Sequence, residues 1–298
     1  MFFLNKYSRQ ANNRANVIWM VITLVIIFSL PLIITFGLYI KSAPIFHEHS
    51  LGELLFTKDW FPLKGKFGFL PFIMGSLWVS FVAILISAPI CLLTAIYITQ
   101  YARNSFLRVM HPVIDILAGI PSVVYGAWGV IIVVPFISHY IAPAFGVESS
   151  GYTILAGSIV LSIMIIPFIL NILIEIFRSI PAELKEASLS LGATPWETIK
   201  FVLVRKAFPG IVSAVGLGLS RAFGETMAVL MVVGNVVKIP HGLLDPGYPL
   251  PALIANNYGE MLSIPMYDSA LMLAALILLV VVLIFNSLTR SFIIRLER

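Results

Sequence analysis

Apolar residues fall along this chain in six long blocks, roughly 17 to 40, 72 to 99, 113 to 138, 152 to 176, 209 to 235 and 269 to 294, with shorter polar stretches between them. A helix of about 20 residues crosses about 30 Å of hydrocarbon, so each block is long enough to span a membrane. The pattern predicts an all-α membrane protein with six transmembrane helices. Polar residues interrupt the third and fifth blocks, and the other four are clean. Lys6, Arg9 and Arg14 precede the first block, as they would in a signal peptide, but its apolar run is too long for one and no A-x-A site follows. It reads as a retained anchor. The expected division is a cytoplasmic tail at 1–16, a first span at 17–40, an outer loop at 41–71, a transmembrane core at 72–294 that includes cytoplasmic helices at 181–205, and a short cytoplasmic end at 295–298.

Composition agrees with lipid as the main solvent. Of the 298 residues, 59% are hydrophobic and 11% charged, and soluble domains carry about 25% charged residues. The Lys and Arg are distributed unequally. Lys6, Arg9, Arg14, Arg103, Arg108, Arg178, Lys185, Lys200, Arg205, Lys206, Arg290, Arg295 and Arg298 share a side with the N terminus, against Lys41, Lys58, Lys64, Lys66 and Lys238 on the other. The positive-inside rule then puts both termini in the cytoplasm, which an even number of spans permits. The net charge of +5 is explained by these loops and needs no nucleic acid. Cys91 is the single cysteine, and "HEH" at 47–49 has no third partner, so neither a disulfide framework nor a metal site is expected.

The outer segment 236–268 contains Pro240, Pro246, Pro249, Pro251 and Pro265 and is expected to be an irregular cap. On the other side, the polar stretch "LKEASLSLGATPWETIK" reads as two short helices. Pro181 opens the first, with Ser179 as its cap, and Gly192 closes it in a left-handed conformation. "TPWE" restarts the chain with a capping box and Pro at the first helical position. Leu184, Ala187, Ser188 and Leu191 form one small-to-apolar face, which either packs on the protein's own spans or receives a cytoplasmic partner.

One cation remains. Arg221 lies in the fifth block, about 16 Å from its start and near mid-membrane, with Glu225 one helical turn further. Either the two neutralise each other, or Arg221 offers its donor fork to a passing oxyanion while Glu225 holds it and accepts a proton. Such an acceptor would favour phosphate, which carries a proton near neutral pH, over sulfate. Gly210, Gly216, Gly218 and Gly224 suggest close helix approach, as at an interface with a second subunit. In the third block, Gly119 and Pro121 predict a break, either a plain kink or a new helix start at Ser122, with Tyr125 nearby, facing an anion path. Asp115 is expected to pair with Arg108 or to begin a helix.

The polar stretch resembles the EAA loop of bacterial ABC-importer permeases, whose pattern is E-A-A, three residues, G, nine residues, I-x-L-P. Here it is carried by Glu186, Ala187, Ser188, Gly192, Val202 and Val204, with Arg205 at the proline position and Pro209 as a later stop. "GIPSVVYG" and "SRAFGETMAVLMVVGN" are similar to the PstC permeases of high-affinity phosphate importers, from about residue 72 to the C terminus. The resemblance implies a type I ABC importer (MetI-like) permease fold in the bacterial cytoplasmic (inner) membrane, moving inorganic phosphate inward. It implies a PstA-like second permease, a PstB-like ATPase dimer and a periplasmic or surface phosphate-binding protein. Glu186, Ala187 and Gly192 would couple to the ATPase. Arg221 and Glu225, with Ser122 and Tyr125, would line the path. No G-x-x-x-x-G-K-[ST] occurs, so ATP and Mg belong to the partners and the chain is expected to carry no cofactor or metal. Other readings are a permease for sulfate, molybdate or phosphonate, an ion-gradient-driven anion transporter, and a membrane scaffold.

Overall fold

The computed structural model describes residues 2–260, 264 and 266–296; Pro265 and Arg298 lie outside that set. Among the described residues, six helices are long and apolar enough to cross a membrane. The first, α1 (Phe2–Glu48), runs beyond its expected end and is followed by a short helix α2 (Leu51–Phe56) and a small hairpin of β1 (Trp60–Phe61) and β2 (Lys66–Phe67). Next come α3 (Leu70–Tyr101), α4 (Asn104–Gly119), α5 (Ser122–Ala144) and α6 (Ile154–Arg178). The second half contains α7 (Ala182–Ser190), α8 (Pro195–Gly224), α9 (Met227–Leu230), α10 (Leu250–Asn257) and α11 (Tyr267–Leu296).

Helices α3 and α6 form the centre, and α8 lies against both. Lipid offers no hydrophobic drive between helices, so small residues and hydroxyls hold this seam. The buried Ser158 donates from Oγ to Ile154 O at 2.8 Å and lies 3.2 Å from Val79 O on α3. Cys91 Sγ reaches Ile166 O at 3.5 Å. Pro31, Pro44, Pro89 and Pro167 all sit inside helices, as membrane helices tolerate.

Several expectations are corrected. The third block is two elements: α4 ends at Gly119, and α5 starts afresh after Pro121. Asp115 is therefore near the end of α4, and among the described residues it makes no ion pair. The outer cap is not wholly irregular, since α10 forms within it and is pinned by the Leu250 N–H donating to Ser76 Oγ at 2.8 Å. Three of the four glycines of α8 meet the chain's own spans: a Cβ on Gly210 would crowd Ile176, one on Gly216 Thr289, and one on Gly218 Ile169. They tighten the subunit, while Gly224 meets nothing within 4 Å.

By span parity, the hairpin and the segments after α5 and α8 lie on one side of the membrane and α7 on the other. On the former side Asp245 organises the loop after α9. Its carboxylate accepts from the His241 and Gly242 N–H groups at 2.9 and 3.1 Å and lies 3.5 Å from Lys238 Nζ. Its carbonyl accepts from the Ile154 N–H at the start of α6 at 2.9 Å.

Candidate functional site

Mid-membrane depth can be fixed independently of α8. The Arg221 guanidinium lies 4.8 Å from the Phe168 ring centroid. Phe168 stands about 21 Å along α6 from Ile154 and about 15 Å before Arg178, so the charge is far from both ends of that span. Arg221 is exposed on the surface of the chain, and no described carboxylate pairs with it. The ring face satisfies part of its charge.

Glu225 does not hold Arg221, and the pair does not neutralise itself. The i, i+4 relation requires unbroken helix, whereas α8 ends at Gly224 and Glu225 is extended, with φ −73° and ψ 127°. Glycine is a poor helix former and makes this exit inexpensive. The Glu225 side chain turns into the bundle, where it borders a small gap with Ser80, Val229 and Pro251. Its Oε1 accepts from the Ala228 N–H at 3.2 Å, capping the first turn of α9.

A second interruption lies beside the first. Tyr125, one turn into α5, donates its hydroxyl to Leu117 O in the last turn of α4 at 2.8 Å, bridging the break at Pro121. Gly126 lets α9 approach, since a Cβ there would meet Met231 Sδ at 2.6 Å and Ala228 Cα at 3.2 Å. Tyr125, Ala228 and Val232 share one buried cluster. Ser122 opens α5 half-buried. The sequence therefore places two broken helices and one cation together, but Phe168, the platform under the cation, carries no signal in the sequence beyond being aromatic.

The opposite pole is α7. None of its residues is buried; Leu184, Ala187 and Leu191 stay exposed, while Ser188 is half-buried against the start of α8. Leu191 is 90% exposed and Trp196 54%. Glu186 and Ala187 are exposed, and Gly192 turns the chain at φ +86°. Pro181 is the cap residue, while Ser179 bonds back to Ile176 O, so Ser179 is not the cap. Thr194 and Glu197 form the expected capping box. The helix they begin does not stop at Arg205 or Pro209, because it is the start of α8 itself, with Pro209 inside it. Two contacts unannounced in the sequence hold α7: Ser188 and Thr198 join hydroxyls at 2.9 Å, and Lys185 Nζ donates to Gln100 Oε1 at 3.0 Å. "HEH" remains unremarkable, with His49 Nδ1 3.5 Å from Glu53 Oε1 and no metal-type cluster among the described residues.

Six spans among the described residues, two interrupted helices, a mid-membrane cation and an exposed polar helix on one side fit a membrane transport subunit driven from outside its own chain. The chain belongs to the binding-protein-dependent transport system inner membrane component family, whose signature matches residues 92–298. It is the permease subunit of an ABC importer, and ATP hydrolysis lies in partner subunits. The chain is 41% identical to the probable ABC transporter permease protein YqgH of Bacillus subtilis, over 86% of this chain and 83% of that one. It is 35% identical to the phosphate transport system permease protein PstC of Xylella fastidiosa (83% and 80%) and 35% to the probable PstC of Methanocaldococcus jannaschii (88% and 87%). The fold is shared with the MetNI methionine ABC transporter (TM-score 0.54, 22% identity, 75% of this chain and 92% of that one). It is shared too with a bacterial alginate ABC transporter (TM-score 0.60, 15% identity, 93% of each).

Proposed function

We propose that this permease moves inorganic phosphate into the cytoplasm. The observation that carries the reading is Arg221: a permanent cation with a planar donor fork, mid-membrane, exposed, and without a carboxylate partner among the described residues. Relatives named as phosphate permeases over most of the chain support the same solute. Arg221 meets the anion as it passes, with Ser122 and Tyr125 on the adjoining wall. Glu225 serves the path indirectly by fixing α9.

The complete importer pairs this chain with a PstA-like permease, with a PstB-like ATPase dimer on α7 and with a phosphate-binding protein on the opposite side. Glu186, Ala187 and Gly192 belong to the ATPase contact, and the uncovered surface of α7 and Trp196 suits that role. Both termini are cytoplasmic, in a bacterial inner membrane. The chain carries no cofactor of its own, and ATP and Mg are held by the ATPase subunits.

The test is uptake of labelled phosphate into proteoliposomes holding this chain, its co-purifying subunits and the binding protein. ATP-dependent uptake that excess sulfate leaves intact is the expected result. Uptake without ATP, or an ATP-hydrolysing complex that imports sulfate or no anion at all, rejects the reading.

A further inference from the structure

Helices α1 and α11 pack side by side but part toward the hairpin side, leaving an open apolar groove of about 680 Å³ roofed by α2. Tyr39 and Phe46 form one wall, and Ile277, Val280 and Ile284 the other. From Leu273 to Ile284 the groove follows α11 for about 16 Å, close to half of the roughly 30 Å hydrocarbon core. It is as deep as one leaflet. It opens between two spans, so the medium that reaches it is lipid.

Polarity is confined to one end. His49 and Ser50 line the mouth, and a second, polar pocket of about 70 Å³ adjoins it, sharing His49 and Leu54. That pocket holds two pairs: His49 with Glu53 at 3.5 Å, the imidazole being charged only when protonated, and the solvent-open Lys66 with Asp59 at 3.6 Å. A headgroup with a phosphate and a primary amine matches them, the phosphate toward Lys66 and His49 and the amine toward Glu53 and Asp59. A headgroup with negative charge alone would face two carboxylates uncompensated.

We propose that this groove is a binding site for an amine-bearing zwitterionic phospholipid of the leaflet opposite α7. One acyl chain lies between α1 and α11 and the headgroup rests at His49, Glu53, Asp59 and Lys66. The most apolar stretch of α1 has no residue buried inside the protein. The lipid adds packing along this end of α1 beside Ser42 and Ile45, which its own chain buries.

The test is native mass spectrometry of the assembled transporter, equilibrated with equal amounts of phosphatidylethanolamine and phosphatidylglycerol and then washed in detergent. One phosphatidylethanolamine is expected to remain for each copy of this chain. Val280→Trp, which fills the groove, should abolish retention, and the surface change Lys66→Glu should lower it about fivefold or more without altering assembly. Four results would overturn the proposal: no retained lipid, retention indifferent to Val280→Trp, preference for phosphatidylglycerol, or efficient cross-linking of a cysteine at 280 to another subunit, which would give the groove a protein occupant.

Discussion

The Arg221 guanidinium lies over the face of Phe168, 4.8 Å from the ring centroid, rather than against Glu225. A cation–π contact of this kind is worth about 0.5–2 kcal/mol according to its solvation. Phe168→Leu is therefore expected to slow phosphate uptake several-fold, while Arg221→Gln should lose it almost entirely. Arg221→Lys should recover only part, because an ammonium lacks the planar fork. Proteoliposome uptake, with assembly checked by co-purification, measures all three.

Glu225 faces the bundle and caps α9, so its charge is not presented to the ion. Glu225→Gln keeps an oxygen acceptor for the Ala228 N–H and should leave the preference for phosphate over sulfate unchanged. Glu225→Ala removes the acceptor at a cost of about 1 kcal/mol and should lower both uptake and thermal stability. Competition with sulfate would reveal a change in preference if the carboxylate read the proton on the anion.

Leu191 is 90% exposed. Leu191→Asp should leave the melting of the isolated permease untouched and yet reduce ATPase co-purification strongly. A fall in the permease's own stability would instead show α7 packing on its spans.

Gly192 holds φ +86°, a conformation costing a side chain about 1–2 kcal/mol. Gly192→Val should distort the turn between α7 and α8 and weaken the stimulation of ATP hydrolysis by the loaded binding protein. Basal hydrolysis by the ATPase subunits should change less.

Burial alone would raise the Asp245 pKa, but the His241 and Gly242 N–H donors and the Lys238 charge outweigh it and hold the carboxyl below its ordinary value. A depressed folded pKa adds stability at pH above the unfolded value, about 3.9, and that stability is lost as pH falls through the lower folded value. Asp245→Asn should lower the melting temperature at pH 7, with a difference from wild type that holds down to about pH 4 and then closes. A difference that closes between pH 7 and 5 would point to another group.

The six spans are legible because hydropathy reports burial in lipid. What hydropathy cannot see is where the backbone leaves the helix inside an apolar run. The run through "GETMAVLMVV" hides the exit at Gly224, and Gly224 itself is the one cue. The break at Pro121 shows through because proline removes a donor, but the separate course of α4 does not. Thr194, Pro195 and Glu197 announce the helix start correctly and say nothing of its length. Glu186, Ala187 and Gly192 are readable as a pattern, while Phe168, Gln100 and Thr198 stand 53, 85 and 10 residues from the groups they touch, namely Arg221, Lys185 and Ser188. No local signal could have named them.

The continuity of α8 from the capping box to Gly224 makes it a connecting rod. Its 30 residues extend about 45 Å, with the socket helix hinged to one end at Gly192 and the mid-membrane cation near the other. A tilt of about 5° pivoted at the end next to Gly192 would carry Arg221 sideways by roughly 3 Å, comparable to the reach of a hydrogen bond. Small motions of a motor outside the membrane would thus arrive at Arg221 as the making or breaking of a contact.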